Sequence, residues 1–295
     1  MFAKATRKRR KLRLALSGPS GSGKTWSALA VAKGLGKRIA LIDTERGSAS
    51  LYSTDYTFDV AELVPPYTTA KYIEAIKAAS DAGYDVLVID SFSHAWAGEG
   101  GILEQVDNAG ARGGNKYVAW GAAGKSQNEL VNAILAAPCH VIITMRSKQE
   151  YAIEVNAKGK QEIKKLGMAP VQRDGVEYEF DVVLDIGQDH TAKATAAGKD
   201  RTRLFADKDA VTLTEDHGKR LAAWLDEGEA EPPSVADLRG TIGGALKLRG
   251  WTVAQVAAVL AEYKATKADD VSPGDRETAI LTLRGEPPAI PNTQE

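Results

Sequence analysis

The run Gly18-Pro19-Ser20-Gly21-Ser22-Gly23-Lys24-Thr25 spells a complete phosphate-binding loop. Its flanks are those such a loop needs. Leu12-Arg13-Leu14-Ala15-Leu16 reads as a short buried strand, and Trp26 to Lys33 is an Ala-rich helical stretch that Gly34 and Gly36 end. The glycines let backbone N–H groups curl around phosphate oxygens, and the helix N-terminus adds a partial positive charge. In this arrangement Lys24 reaches the β- and γ-phosphates and the Thr25 hydroxyl is a Mg²⁺ ligand. Gly18 to Thr25, with Trp26 next in the chain, are the expected nucleoside triphosphate contacts.

The chain continues in the alternation that a strand–loop–helix start demands. Arg38-Ile39-Ala40-Leu41-Ile42-Asp43 and Asp85-Val86-Leu87-Val88-Ile89-Asp90 are apolar runs ending in carboxylates, and His140 to Thr144 is a further strand. Residues 51–70 read as a connection with one short strand. Lys71 to Ala82 carries Tyr72, Ile73, Ile76 and Ala79 at helical spacing, as do residues 117–136, while the glycine-rich stretch 97–116 reads as a mobile loop. Strands alternating with helices predict an α/β fold with a mostly parallel central sheet flanked by helices. Residues 146–178 break the pattern: they are polar and basic, and suggest a hairpin turning at Lys158-Gly159. Strands are expected again at 181–186, 191–196 and 202–205, then a short helix from Lys219 to Asp226.

A linker at residues 229–233 separates residues 12–228 from a small helical domain at 234–285. There Ser234 caps one helix, Thr252 and Gln255 form a capping box for a second, and Ser272-Pro273 begins a third. Residues 286–295 are proline-rich and read as a disordered tail.

A single cysteine, Cys139 in an apolar run, excludes a disulfide framework and suits a reducing cytoplasm. No run of about 20 apolar residues spans a membrane. Although the net charge is −1, residues 1–11 form a basic arm with Lys4, Arg7, Lys8, Arg9, Arg10 and Lys11, either a solvated tail or a nucleic-acid contact.

Two strand ends refine the chemistry. Asp90 stands where a second acidic group supports Mg²⁺ through its water shell. Glu45, just past Asp43, stands where a carboxylate can polarise a water lined up with the γ-phosphorus. Leu41-Ile42-Asp43-Thr44-Glu45-Arg46-Gly47 and Val88-Ile89-Asp90-Ser91 resemble the corresponding segments of RecA-like recombinases. The run from Gly167 to Asp181 is similar to the short phage-encoded RecA-like ATPases, including the Sak-type single-strand-annealing proteins. The resemblance covers roughly residues 11–226.

That resemblance implies a RecA-like P-loop NTPase core that hydrolyses ATP with Mg²⁺, assembles as a homo-oligomeric ring or filament, and works in recombination or strand annealing. It also implies a cytoplasmic location, in a bacterial host cell for a phage-encoded protein. Glu45 is then the general base. Thr144 and Arg146 fall in the γ-phosphate sensor neighbourhood, with Arg146 departing from the usual amide side chain. Arg146, Lys148, Lys158, Lys160, Lys164 and Lys165 fall where a loop grips single-stranded DNA, with Tyr151 as a stacking surface. Lys199 and Arg201 occupy the place of basic fingers offered to a neighbouring subunit's γ-phosphate. A single-strand-binding protein is a further expected partner. The alternative on the same fold is a hexameric DNA motor, helicase or helicase loader.

Overall fold

The computed structural model describes residues 4–111, 113–155, 161–194, 199–205, 209–228, 233 and 235–287. It divides into two compact units. One comprises Lys11–Ile76 and Asp85–Leu225, the other Met1–Arg10, Lys77–Tyr84 and Asp226–Glu295.

The first unit contains, in chain order, β1 (Arg13–Gly18), α1 (Lys24–Leu35), β2 (Ile39–Asp43), β3 (Asp59–Glu62), α2 (Thr69–Ala82, whose last turns belong to the second unit) and β4 (Val86–Asp90). It continues with α3 (Ser93–Ala97), α4 (Ile102–Ala111), α5 (Lys116–Ala136), β5 (His140–Val155), β6 (Gln161–Pro170), β7 (Val182–Ile186), β8 (Ala192–Ala194) and α6 (Glu215–Asp226). The sheet order is β3-β2-β4-β5-β1-β7-β8. Neighbours from β3 to β7 run parallel, β8 returns antiparallel, and β6 pairs antiparallel with the far half of β5.

Strands β1, β2 and β4 are buried at every position, which is why they read as apolar runs rather than alternations. Leu14, Leu16, Val86, Val88, Ile142 and Leu184 share one cluster with Leu29 and Val31 of α1 and with Leu221 and Leu225 of α6. The alternate residues Leu87, Ile89 and Ile143 turn to the other face and are equally buried. Truncating any of these leucines to alanine costs about 2–5 kcal/mol, so the sheet centre is the rigid part of the unit. The result is the expected mixed α/β architecture with a mostly parallel central sheet.

Register places the chemistry. Gly18 stands opposite Arg146, Ser17 opposite Asp185, and Asp43 opposite Asp90. Parallel strands that end together bring their carboxyl-terminal residues to one edge, where open α/β sheets bind ligands. Strand β5 lies between β1 and β4, which puts Thr144 between the phosphate-loop strand and the strand of Asp90.

Two expectations change in this unit. The glycine-rich stretch holds helix α4, because Ile102 and Val106 bury against Ala123 of α5 in a small satellite cluster. Thr202 to Phe205 form no strand: the Asp200 carboxylate ties Thr202 and Phe205 into a turn, with backbone N–H contacts at 2.9 and 2.7 Å. Trp120 on α5 is 45% exposed and meets Trp96 at a ring separation of 6.2 Å. The hairpin is present as β5–β6, but its turn, with Lys158 and Gly159, lies outside the described residues, as do residues 195 and 196 of the expected strand.

The second unit packs α7 (Val235–Leu248), α8 (Val253–Glu262) and α9 (Arg276–Arg284) around Leu238, Trp251, Val256, Leu260, Ile280 and Leu283. The Thr252–Gln255 capping box is formed. Helix α9 starts at Arg276 rather than Pro273, since Ser272 Oγ donates to Asp275 Oδ2 at 2.6 Å and spends residues 272–275 on a turn. The described residues of the basic arm, 4–11, are exposed, and two of its arginines make contacts within this unit. Arg7 pairs with Glu227, and Arg9 Nε donates to the carbonyls of Asp226 and Gly228, each at 3.2 Å. Ser234, residues 229–232 and residues 288–295 lie outside the described residues. No helix among the described residues is long and apolar enough to cross a membrane.

Candidate nucleotide site

The phosphate loop is built for close backbone approach. Gly23 caps α1 in the left-handed region at φ 83°, with no side chain capping the helix and no acid in its first turn. The helix N–H groups are thus left for an anion, which completes the cap a side chain would otherwise supply. A Cβ at Gly18 would meet both Ile186 O and Ser22 Oγ at 2.6 Å, so this position admits only glycine without moving the loop. Ser22 Oγ is itself buried without a hydrogen-bond partner. Lys24 Nζ donates to Pro19 O at 2.7 Å, so the ammonium rests on its own loop. Burial pulls its pKa down, with Asp90 and Glu45 opposing, a setting that rewards an incoming anion.

Trp26 is 40% exposed and meets Tyr52 and Tyr56 edge-on, at ring separations of 5.7 and 5.0 Å. This aromatic cluster beside the loop exit can receive a flat base. The two tyrosines escaped sequence reasoning, because their distance from Trp26 along the chain gives no signal.

Asp90 is buried and accepts two hydroxyl donors, Thr25 Oγ1 on Oδ2 and Thr144 Oγ1 on Oδ1, each at 2.5 Å. Burial raises its pKa, and the two threonine hydrogen bonds oppose that shift. The donor set fits Mg²⁺: one hydroxyl, a carboxylate behind it, and the rest left to water and phosphate oxygens. Among the described residues there is no cluster of three or more carboxylate, histidine or cysteine ligands. Thr25 would hold the ion directly and Asp90 through water, where it supplies positive charge to the phosphate oxygens.

The strand end carrying Glu45 is braced. The Asp43 carboxylate accepts the N–H groups of Glu45 and Ala49 at 2.5 and 3.0 Å. Thr44 Oγ1 accepts Ser91 N–H at 2.8 Å and lies 2.6 Å from His94 Nδ1. Tyr67 stacks on His94 and donates to Thr44 O at 3.0 Å. Burial lowers the His94 pKa, and the Arg146 guanidinium adds to that, with Glu45 and Asp43 opposing. His94, without ligand spacing in the sequence, therefore braces the two acidic strand ends. Glu45 itself meets Arg146, whose Nε and Nη2 both donate to Glu45 Oε1, at 3.0 and 2.8 Å.

The remaining sequence-expected residues are dispersed. Lys148 is exposed on β5, two residues beyond Arg146. Lys164 and Lys165 lie on β6, in register with Ala152 and Tyr151, while Lys158 and Lys160 lie outside the described residues. Lys199 and Arg201 sit away from their own phosphate loop, since their backbones pair with Val183 and Asp181 at the start of β7, opposite the end that reaches Ser17. Lys199 Nζ contacts Tyr178 O, and Arg201 pairs with Asp181 at 3.3 Å.

An uncapped glycine loop opening a helix, a hydroxyl on a buried aspartate, and a strand-end glutamate on one sheet edge define a P-loop nucleoside triphosphatase. The chain belongs to the AAA domain family, whose model matches residues 10–215, the whole of that edge included. A comparison with curated proteins found no match.

Proposed function

We propose that the protein is a RecA-like, Mg²⁺-dependent ATPase of the phage Sak-type kind that binds single-stranded DNA and promotes recombination or strand annealing as a homo-oligomer. The observation that carries this reading is the junction at Arg146. The same strand, β5, ends its parallel run at Arg146, in register with Gly18 of the phosphate loop, and then leaves the parallel sheet as the β5–β6 hairpin. A hairpin rooted in the nucleotide site is the simplest way for DNA contact and hydrolysis to influence one another.

In the reaction, Lys24 and the α1 N-terminus hold the triphosphate, and Glu45 accepts the proton of the attacking water. Trp26, with Tyr52 and Tyr56, receives the base. Lys148, Lys158, Lys160, Lys164 and Lys165 neutralise DNA phosphates. Lys199 and Arg201, remote from their own loop, are offered to a neighbouring subunit. The test is the ATPase rate with and without single-stranded DNA, run beside an annealing assay with complementary strands. Stimulation together with annealing supports the proposal. Displacement of a tailed duplex without annealing would favour a motor, and a rate indifferent to DNA would remove the DNA half of the reading.

A further inference from the structure

Residues 172–179 come from the run that carries the family resemblance, yet they lie against α5, outside the nucleotide site. Gly175, at φ 82°, turns the chain into a short 3-10 helix at Val176–Glu179. Between that turn and α5 is a cavity of about 110 Å³. Val131 and Val176 give it apolar walls, and the exposed side chains of Arg173, Asp174 and Glu179 stand at its mouth. Gln127 also lines it and is only 1% exposed.

Hydrogen bonds fix the orientation of the Gln127 amide. Gln172 Nε2 donates to Phe92 O at 3.2 Å and its Oε1 accepts Arg173 N–H at 2.8 Å, which sets the Gln172 amide. Gln127 Nε2 donates to that same Oε1 at 3.1 Å. Gln127 Oε1 is the atom left over: it is buried and accepts no hydrogen bond among the described residues. A buried carbonyl oxygen calls for a donor, since leaving it unpaired costs more than a typical hydrogen bond gains. Around it stand two carboxylates and a single cation, and Arg173 Nη1 is already committed to Asn128 Oδ1 at 2.7 Å.

We infer that this cavity is a binding site for a primary ammonium group on a short alkyl stem. An ammonium carries donors only, which matches an amide oxygen flanked by carboxylates, and the two valines cover its methylenes. The volume suits a group of that size and falls well short of the roughly 300–1,000 Å³ of a pocket that encloses a larger ligand. A free diamine and a lysine side chain of another protein share this chemistry. The chain Gln127–Gln172–Phe92 ties the site to the backbone just past Asp90. The inference stands apart from the DNA reading and needs no turnover to test.

The experiment is a titration of the isotope-labelled full chain with n-butylammonium chloride, followed by amide NMR. The signals of Gln127, Arg173 and Val176 should shift together and saturate. Tetramethylammonium chloride, of equal charge but without an N–H donor, should move them little. Glu179→Gln and Asp174→Asn change exposed side chains, so both should fold as the parent does and each weaken butylammonium by about two- to fivefold. Gln127→Leu should weaken it by about tenfold or more. If a melting curve shows Gln127→Leu to be unfolded, the two carboxylate variants decide. Putrescine and Nα-acetyl-lysine amide separate the sources: whichever binds more tightly marks a diffusible diamine or a protein lysine as the occupant. Shifts that never saturate, equal shifts with tetramethylammonium, or parent affinity in both carboxylate variants would overturn the site and leave Gln127 Oε1 to water.

Discussion

Asp43 and Asp90 stand opposite one another in register at the ends of adjacent parallel strands, yet their carboxylates face different partners. Asp43 takes backbone N–H groups and shapes the turn that carries Glu45. Asp90 takes the hydroxyls of Thr25 and Thr144 and faces the phosphate loop. Neutralising them should therefore have opposite signatures. Asp43→Asn loses buried charge-assisted hydrogen bonds and should cost about 1.5–3 kcal/mol in urea unfolding. Asp90→Asn removes a charge that burial disfavours, so its unfolding midpoint should hold or rise while Mg²⁺-dependent hydrolysis falls by roughly 10- to 100-fold. Equal destabilisation by the two variants would contradict this division of roles.

Lys24 and Glu45 should separate binding from chemistry. Lys24 Nζ donates to a carbonyl of its own loop, so Lys24→Ala should fold normally and lose tight ATP binding in a calorimetric titration. Glu45→Gln keeps the loop intact. It should retain ATP while slowing turnover by roughly 100-fold or more, the size expected for a missing general base. Parent-rate turnover in Glu45→Gln would leave the water without an identified activator.

What the sequence disclosed follows from the range of the interactions involved. The phosphate loop was legible because its function is local: eight consecutive residues and the start of one helix do the work. The acidic strand ends were legible for a similar reason, since apolar runs announce where strands stop. The Glu45–Arg146 pair was not, because it joins residues 101 apart and depends on β4 alone separating β2 from β5. Tyr52 and Tyr56 reach Trp26 only once β2 and α1 have packed, and α4 hid behind Gly98, Gly100 and Gly101, whose turn chemistry outweighed the weaker signal of Ile102 and Val106. His94 had no motif, and its bracing contacts come from Thr44 and Tyr67, both distant in the chain.

Lys199 and Arg201 offer a test of assembly. Both are satisfied within their own chain, by Tyr178 O and by Asp181, at the end of β7 remote from their own phosphate loop. A finger supplied in trans should make hydrolysis rise faster than linearly with protein concentration. The Lys199→Ala, Arg201→Ala double variant should lose that rise, and up to about 1000-fold of the rate, while binding nucleotide as tightly as the parent at low concentration. A linear concentration dependence in the parent would dismiss the trans role.

His140 ties the stability of the first unit to pH. Its Nδ1 accepts Leu12 N–H at 3.0 Å where β5 meets the residue leading into β1, and burial, helped by Lys11 and Arg13, lowers its pKa to about 3, while Asp85 opposes. In the unfolded chain the ring titrates near 6.5. Because the folded value is the lower one, the unfolded state binds the proton first. The stability is therefore fully present above pH 6.5 and is lost as pH falls toward 3. The loss approaches about 1.4 kcal/mol per pH unit within that window, or roughly 2 kcal/mol by about pH 5. Urea unfolding across this range should show that slope in the parent and a flatter one in His140→Asn, which keeps a side-chain acceptor for Leu12 but does not titrate. Carboxylates titrate alike in both proteins, so the difference between the two curves belongs to the imidazole. Identical slopes would mean that the ring reaches water and takes its proton without unfolding the strand pair it joins.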